Sequence, residues 1–345
     1  MEKIVNSSRR NFLGGTAVAT LAGAPVLARS AISNGDAVSP SCIPGKVLDL
    51  FQPITGRKGV KIWAPEASGA PEFLVRLNAR ELLFCGSAFK TFVLCEALRQ
   101  ADAPDIDQQL QLRQLELDET VWSPDSVTFN PPYLSGKVSE RTTLEAMIIH
   151  SDNTGADMSL KLVGADNVRK FIASAGLEHT FIPNSTRQFI GYLANAADWR
   201  TITWKQVIDI LNSNQQPLIN PPLNHVQTMA STAHDFVSYY SRALQGKFFK
   251  YSASLDEFRA ILSRADAIQQ AVPLGASAFV KGGAIDVAPF HALCLAGGMY
   301  LAGRWVYFAA TLNWDHPGDA DPETAGQFVA AITEAFQLVE KALSS

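Results

Sequence analysis

The chain has 345 residues, with 29 Lys and Arg against 33 Asp and Glu, a formal net charge of −4, and 47% apolar residues. That balance, with no clustered basic stripe, argues against a nucleic-acid footprint and leaves enough apolar material for a sizeable core. The four cysteines, Cys42, Cys85, Cys95 and Cys294, show no Cys-x-x-Cys spacing, so no structural metal is expected, and their pairing cannot be read from the sequence.

The N-terminus runs Ser7-Ser8-Arg9-Arg10-Asn11-Phe12-Leu13, then a modest apolar, small-residue stretch from Thr16 to Ala28. It resembles a twin-arginine signal peptide, with cleavage expected after Ala28, and its apolar run is too short for a good membrane span. The resemblance implies recognition by the twin-arginine export machinery and a periplasmic or secreted mature protein. Residues 29–45 read as a linker, and Lys46 to Thr55 as a first short helix. Val60 to Trp63 and Phe73 to Leu77 read as strands joined by a Pro/Ser/Gly-rich turn.

These strands lead into Cys85-Gly86-Ser87-Ala88-Phe89-Lys90 and a run rich in apolar residues, the start of a buried helix with Gly86 at its entry. A serine in a first turn lies beside free backbone N–H groups and the positive end of the helix dipole. Lys90, three residues on, falls on the same face with its amine within reach of the Ser87 hydroxyl, and a lysine in a partly dry site can act as a base. Ser-x-x-Lys is short and recurs by chance, so its weight depends on companions.

Leu110 to Leu117 fits helix and strand alike, and the prolines and glycine from Ser123 to Lys137 read as loop. A helix is expected from Thr142, with Glu145 completing a capping box. His150-Ser151-Asp152-Asn153-Thr154-Gly155-Ala156-Asp157 then sets polar residues between apolar helical runs and is expected to be a loop facing a cleft. Lys281-Gly282-Gly283-Ala284 follows the strand-like Ser277 to Val280, where glycines let a substrate approach the backbone. His291 to Met299 and Arg304 to Leu312 read as a hairpin. Asp321-Pro322 opens a last helix with the stripe Phe328, Ile332, Phe336, Val339 and Leu343.

Ser-x-x-Lys, Ser-Asp-Asn and Lys-x-Gly, in that order, resemble the signature of class A β-lactamases and penicillin-binding proteins. The resemblance covers roughly Lys46 to the C-terminus and implies an α/β (α+β) fold. This has a five-stranded antiparallel sheet flanked by N- and C-terminal helices (about 46–86 and 275–345) and an inserted all-helical domain (about 87–274). It implies Ser87 as nucleophile, Lys90 as proton acceptor, and the amides of Ser87 and Ala284 as an oxyanion hole. Ser151 would relay a proton, Lys281 would supply positive potential, and Asn153 and Gly283 would line the substrate. No metal or organic cofactor is implied, and a monomer acting on a β-lactam or an acyl-D-Ala-like peptide or ester is expected.

Three departures stand out. No Glu-x-x-Leu-Asn motif, the class A deacylation signature, appears between Gly176 and Leu193, and Glu178 and His179 read as a helix end at the surface. Gly282 replaces the hydroxyl residue of Lys-[Thr/Ser]-Gly. His291 stands where class A enzymes often carry an arginine, making it a candidate for substrate carboxylate or a structural histidine. The stretch from Leu193 to Gln227 lengthens the second gap between motifs, that from Ser151 to Lys281, and its Trp199 and Trp204 either meet substrate or anchor an insertion. A penicillin-binding-like peptidase or esterase, and a slowly deacylating β-lactam-binding protein, are the competing expectations.

Overall fold

A computed structural model describes residues 43–67, 69–213 and 218–344. The paired arginines, the cleavage position after Ala28, Cys42 and nearly all of the expected linker lie outside them. Helix α1, Ile43–Phe51, starts inside the segment expected to be linker, because Ile43, Val47 and Phe51 recur every four residues and bury one face together. Strands β1 (Arg57–Ala64) and β2 (Phe73–Leu77) follow and pair antiparallel, Ile62 opposite Val75. A short β3 (Leu83–Phe84) leads into a 3-10 turn at Gly86–Phe89 and then helix α2, Lys90–Gln100.

The ambiguous stretch resolves into both states: α3 is Ile106–Leu112 and β4 is Gln114–Leu117, which pairs with β5, Gly136–Ser139. Helix α4 spans Glu140–Ile149 and starts earlier than expected. Ser139, in extended geometry, caps it by accepting from Thr142 N at 3.1 Å, so Thr142 lies inside the first turn. Glu145 turns outward to Arg141 at 3.0 Å and to Arg264 rather than closing a capping box. Helix α5, Asn153–Val163, corrects a second expectation, since only His150 to Asp152 form the loop and the polar residues beyond are helical.

Helices α6 (Ala165–Ser174), α7 (Thr186–Leu193) and α8 (Trp204–Asn212) precede a two-residue β6 (Ala230–Ser231), which pairs with β3. Then come α9 (Ala233–Ala243), α10 (Ser252–Leu262) and the single turn α11 (Ile268–Ala271). The chain returns to the sheet with β7 (Ser277–Val287), β8 (Phe290–Leu301) and β9 (Arg304–Asp315), and ends in α12, Pro322–Leu343.

The sheet order is β2-β1-β9-β8-β7, and every neighbouring pair is antiparallel. This is the expected five-stranded antiparallel sheet with terminal helices against it. Phe336 of α12 packs on Phe308 of β9 with ring centroids 4.6 Å apart, and Phe328 meets Phe51 of α1 at 6.0 Å. The stripe on α12 is therefore core, held at its start by Asp321 capping Thr324 N and by Pro322 in the first turn. The opposite sheet face meets α9, where Gly298 leaves room for Leu244; a Cβ there would lie 2.5 Å from the Leu244 side chain.

The position of the α4 cap is testable by thermal unfolding. Ser139→Ala is expected to destabilise the fold by about 1 kcal/mol, while Thr142→Val, which leaves the Thr142 N–H to Ser139 Oγ bond in place, is expected to cost less.

Candidate active site

The Ser87 turn and strand β7 touch without intervening side chains. A Cβ on Gly283 would lie 2.1 Å from Cys85 O and 2.7 Å from Ser87 N, and one on Gly86 would lie 2.8 Å from both Ala284 N and O. Gly86 also has φ +51°, a left-handed conformation that glycine adopts without penalty. Two glycines thus let β7, one of the sheet's two edge strands, lie directly against the first turn ahead of α2, with Ser87 only 2% exposed. The backbone amides of Ser87 and Ala284 come from these two abutting segments.

Around Ser87 the structure gathers two lysines on one serine. Lys90 Nζ donates to Ser151 O at 2.6 Å, to Asn153 Oδ1 at 2.7 Å and, more weakly, to Ser151 Oγ at 3.4 Å. Lys281 Nζ donates to the same Ser151 Oγ at 3.1 Å and to Gly282 O at 2.9 Å. Ser151 has φ +58°, an uncommon left-handed conformation for a residue with a side chain, and in it both its carbonyl and its hydroxyl meet lysine amines. The Lys90 amine was expected to meet Ser87 Oγ. Among the described residues it bonds Ser151 and Asn153 instead, and catalytic hydrogen bonds commonly tighten only when substrate arrives.

Both amines are buried. Desolvation lowers Lys90 from its ordinary value to about 7, against the pull of Asp152, Asp157 and Asp125. Desolvation, then the charge of Lys90, hold Lys281 well below the lysine range. Two close ammonium ions in a dry site disfavour each other, so near neutral pH a neutral amine able to accept a proton is available.

Behind these groups lies a polar network that makes the Ser-Asp-Asn segment rigid. Asp152 caps α5 through Gly155 N at 2.8 Å and accepts from Thr128 N at 2.8 Å and Phe129 N at 3.0 Å. Asn153 Nδ2 donates to Pro124 O at 2.8 Å, and Thr154 exchanges bonds with Ser123 and Ser126. Asp157, one turn after Asn153, accepts from Thr186 N at 2.6 Å, Thr186 Oγ1 at 2.7 Å and Arg187 N at 3.1 Å. Every one of these buried polar groups has a partner, which is why they tolerate a helix where exposure in a loop was expected. Asp157 was not singled out from sequence, although its spacing of four from Asn153 places the two on one helix face.

Comparisons with known proteins bear on the family and the fold. A family model described as the beta-lactamase enzyme family matches residues 52–334. The chain belongs to the beta-lactamase enzyme family. Solved structures similar to it include a beta-lactamase from Chitinophaga pinensis, at 18% identity and TM-score 0.66, covering 87% of this chain and 98% of that one. A class A beta-lactamase representative from Bacteroides cellulosilyticus is 18% identical with TM-score 0.65, covering 88% and 100%. PBP-A is 18% identical with TM-score 0.61, covering 87% and 96%. Among curated proteins there is no match.

Within this beta-lactamase family frame the departures acquire physical causes. Gly282 is glycine because Ala267, just ahead of α11, fills the place of a side chain: a Cβ on Gly282 would lie 2.9 Å from Ala267 Cβ. His291, expected as a candidate for substrate carboxylate, is fully buried with both ring nitrogens occupied, Nδ1 by Asp286 and Nε2 by His316 O at 3.2 Å. It stacks on Trp314 and pairs across the hairpin with Asp286, its register partner on β7, so its surroundings are those of a structural histidine. Burial opposes its charged form, but the Asp286 carboxylate outweighs burial and raises its pKa.

Glu178 and His179 are at the surface as expected. The segment that follows brings Thr186, not a carboxylate, to Asn153 O and Asp157. In the longer second gap, Trp199 packs on Tyr192 and Trp204 on Trp122, so both tryptophans anchor the insertion. Cys85, Cys95 and Cys294 are buried free thiols. Among the described residues there is no group of His, Cys, Asp and Glu able to hold a metal, and no helix is long and apolar enough to cross a membrane.

Gly283→Ala is expected to force β7 away from the Ser87 turn, destabilising the fold by roughly 1–3 kcal/mol and removing acylation, read by thermal unfolding and adduct formation. Lys90 with a pKa lowered to about 7 is protonated below that pH and a free base above it, so the acylation rate should rise with pH through about 7. Lys90→Gln should remove both the rate and that limb in a stopped-flow pH series.

Proposed function

We propose that the chain is an exported serine hydrolase that opens β-lactam amides through an acyl-Ser87 intermediate. The observation that carries this reading is the fully buried Lys90 amine, held by Asn153 Oδ1 and the Ser151 carbonyl and made available as a base near neutral pH. In the proposed sequence the Ser87 proton passes to Lys90, and Ser87 Oγ attacks the lactam carbonyl. The amides of Ser87 and Ala284 stabilise the oxyanion. Ser151, bonded to Lys281, delivers its proton to the departing nitrogen and is reprotonated by Lys90, 3.4 Å away, which returns Lys90 to its neutral form. Water then hydrolyses the ester, restoring Ser87 and releasing the opened acid. Asn153 and Gly283 line the substrate, and the twin-arginine-like N-terminus supports export to the periplasm or outside.

A second reading has its own support. The position facing Asp157 is held by Thr186, and no Glu-x-x-Leu-Asn motif supplies a base for the ester, which favours a penicillin-binding-like peptidase or esterase, or a protein that stays acylated.

Intact-protein mass spectrometry of the mature protein with a penicillin and a cephalosporin, sampled from seconds to hours, separates these readings. An adduct that forms and clears as substrate is consumed supports the hydrolase. A lasting adduct transfers the assignment to the second reading, and no adduct refutes lactam opening. Ser87→Ala should form none while keeping its unfolding temperature; labelling that survived in this variant would refute the nucleophile.

A further inference from the structure

β1, β2, the turn after β2 and the start of α9 bring four nitrogen bases, Lys61, Arg76, Arg80 and His234, together with little acid to balance them. Lys61 and Arg76 are direct cross-strand partners. Like charges placed opposite each other in a sheet destabilise it. Lys61 is only 7% exposed, and its Nζ has one hydrogen-bonding contact, His234 Nδ1 at 3.4 Å. Arg76, Arg80 and His234 line an open depression of about 500 Å³ with Asn78 and Glu81, shaped by the tie from His234 N to Ala79 O at 2.8 Å.

Among the described residues the side chains of Arg76 and Arg80 make no hydrogen bond or ion pair, although the Arg76 backbone belongs to the β1–β2 ladder. The nearby carboxylates are engaged elsewhere: Glu81 with Arg57 at 2.7 Å, Glu72 with Trp63 Nε1 at 2.6 Å, and Asp235 with His179 N at 2.9 Å and Thr180 Oγ1 at 3.1 Å. Burial and then the charges of Arg76 and Arg80 lower the pKa of Lys61, and burial and then Lys61 lower that of His234. A fold seldom keeps a buried ammonium opposite a guanidinium without a counter-ion.

We infer that Arg76, Arg80 and His234 form a binding site for a phosphate group, with the buried Lys61 amine behind His234 adding positive potential. The two guanidinium groups that line it match the several oxygens and multiple charge of a phosphate, which the planar guanidinium fork engages in pairs. The phosphate comes either from a soluble phosphate compound or from a headgroup at an anionic surface. The site is independent of the reading of Ser87.

The test has two arms, each run at physiological ionic strength on the mature protein. Calorimetry is done with pyrophosphate, and sedimentation with phosphatidylcholine vesicles carrying or lacking phosphatidylglycerol. Saturable binding in either arm is expected, and the arm that responds identifies the source. Arg76→Gln with Arg80→Gln should weaken it by at least about ten-fold, with penicillin labelling of Ser87 unchanged. Lys61→Met should raise the unfolding temperature of the ligand-free protein, since it removes an uncompensated buried charge. Absence of binding in both arms, equal binding by the double variant, or a lower unfolding temperature for Lys61→Met would overturn the proposal.

Discussion

Almost everything at the centre of this molecule follows from the burial of one amine. An ammonium taken out of water is costly unless it is paired or loses its proton. Lys90 is fully enclosed, and its neighbours are arranged to accept hydrogen bonds from it rather than to neutralise it with a touching carboxylate. That choice of partners leaves the amine near its neutral form at ordinary pH. It also fixes Ser151 in a left-handed backbone conformation, fixes the amide of Asn153, and through Asp152 fixes the loop from Thr128 to Phe129. The site is rigid because its polar groups bond one another, and the lysine among them stays near its neutral form because it is desolvated.

Much of this was legible in the sequence because the chemistry is local. Ser87 and Lys90 share one turn, Ser151 and Asn153 share another, and glycines flank both the serine and the lysine of β7. The strands of the sheet were likewise visible, since β-branched and aromatic runs between turn residues carry their own signal. What failed was judgement about polar residues whose partners are distant. Thr154 and Asp157 looked unsuited to a buried helix because Ser123, Ser126 and Thr186, which satisfy them, lie about thirty residues away in the chain. Thr142 and Glu145 had the pattern of a capping box, yet Ser139 was the better cap once β5 placed it in extended geometry beside β4. His291 illustrates the converse: its partner Asp286 is within five residues, but only a hairpin of β7 with β8, which the sequence reading did not include, pairs them.

Lys61 and Lys90 make an instructive contrast. Both are buried lysines with a lowered pKa, but Lys90 has three acceptors drawn from a single polar segment, while Lys61 has one histidine nitrogen and the Trp63 ring, with burial, Arg76 and Arg80 outweighing the more weakly felt Glu72 and Asp235. The first environment is complete in the free protein. The second has its positive charges assembled and its negative charge missing, and that asymmetry separates a site that acts from within from one that waits for a solute.

The contact of Ala267 with Gly282 constrains how this active site can change over evolutionary time. A hydroxyl residue at 282, the commoner choice in related signatures, meets the Ala267 methyl at once. Restoring it therefore requires an ordered pair of changes, with room opened at 267 before a side chain appears at 282. Taken singly in the wrong order, the first step is penalised sterically. The glycine thus marks a neighbourhood in sequence space that single substitutions leave only with difficulty, and the recognition chemistry of the strand is tied to the packing of a helix turn on its far side.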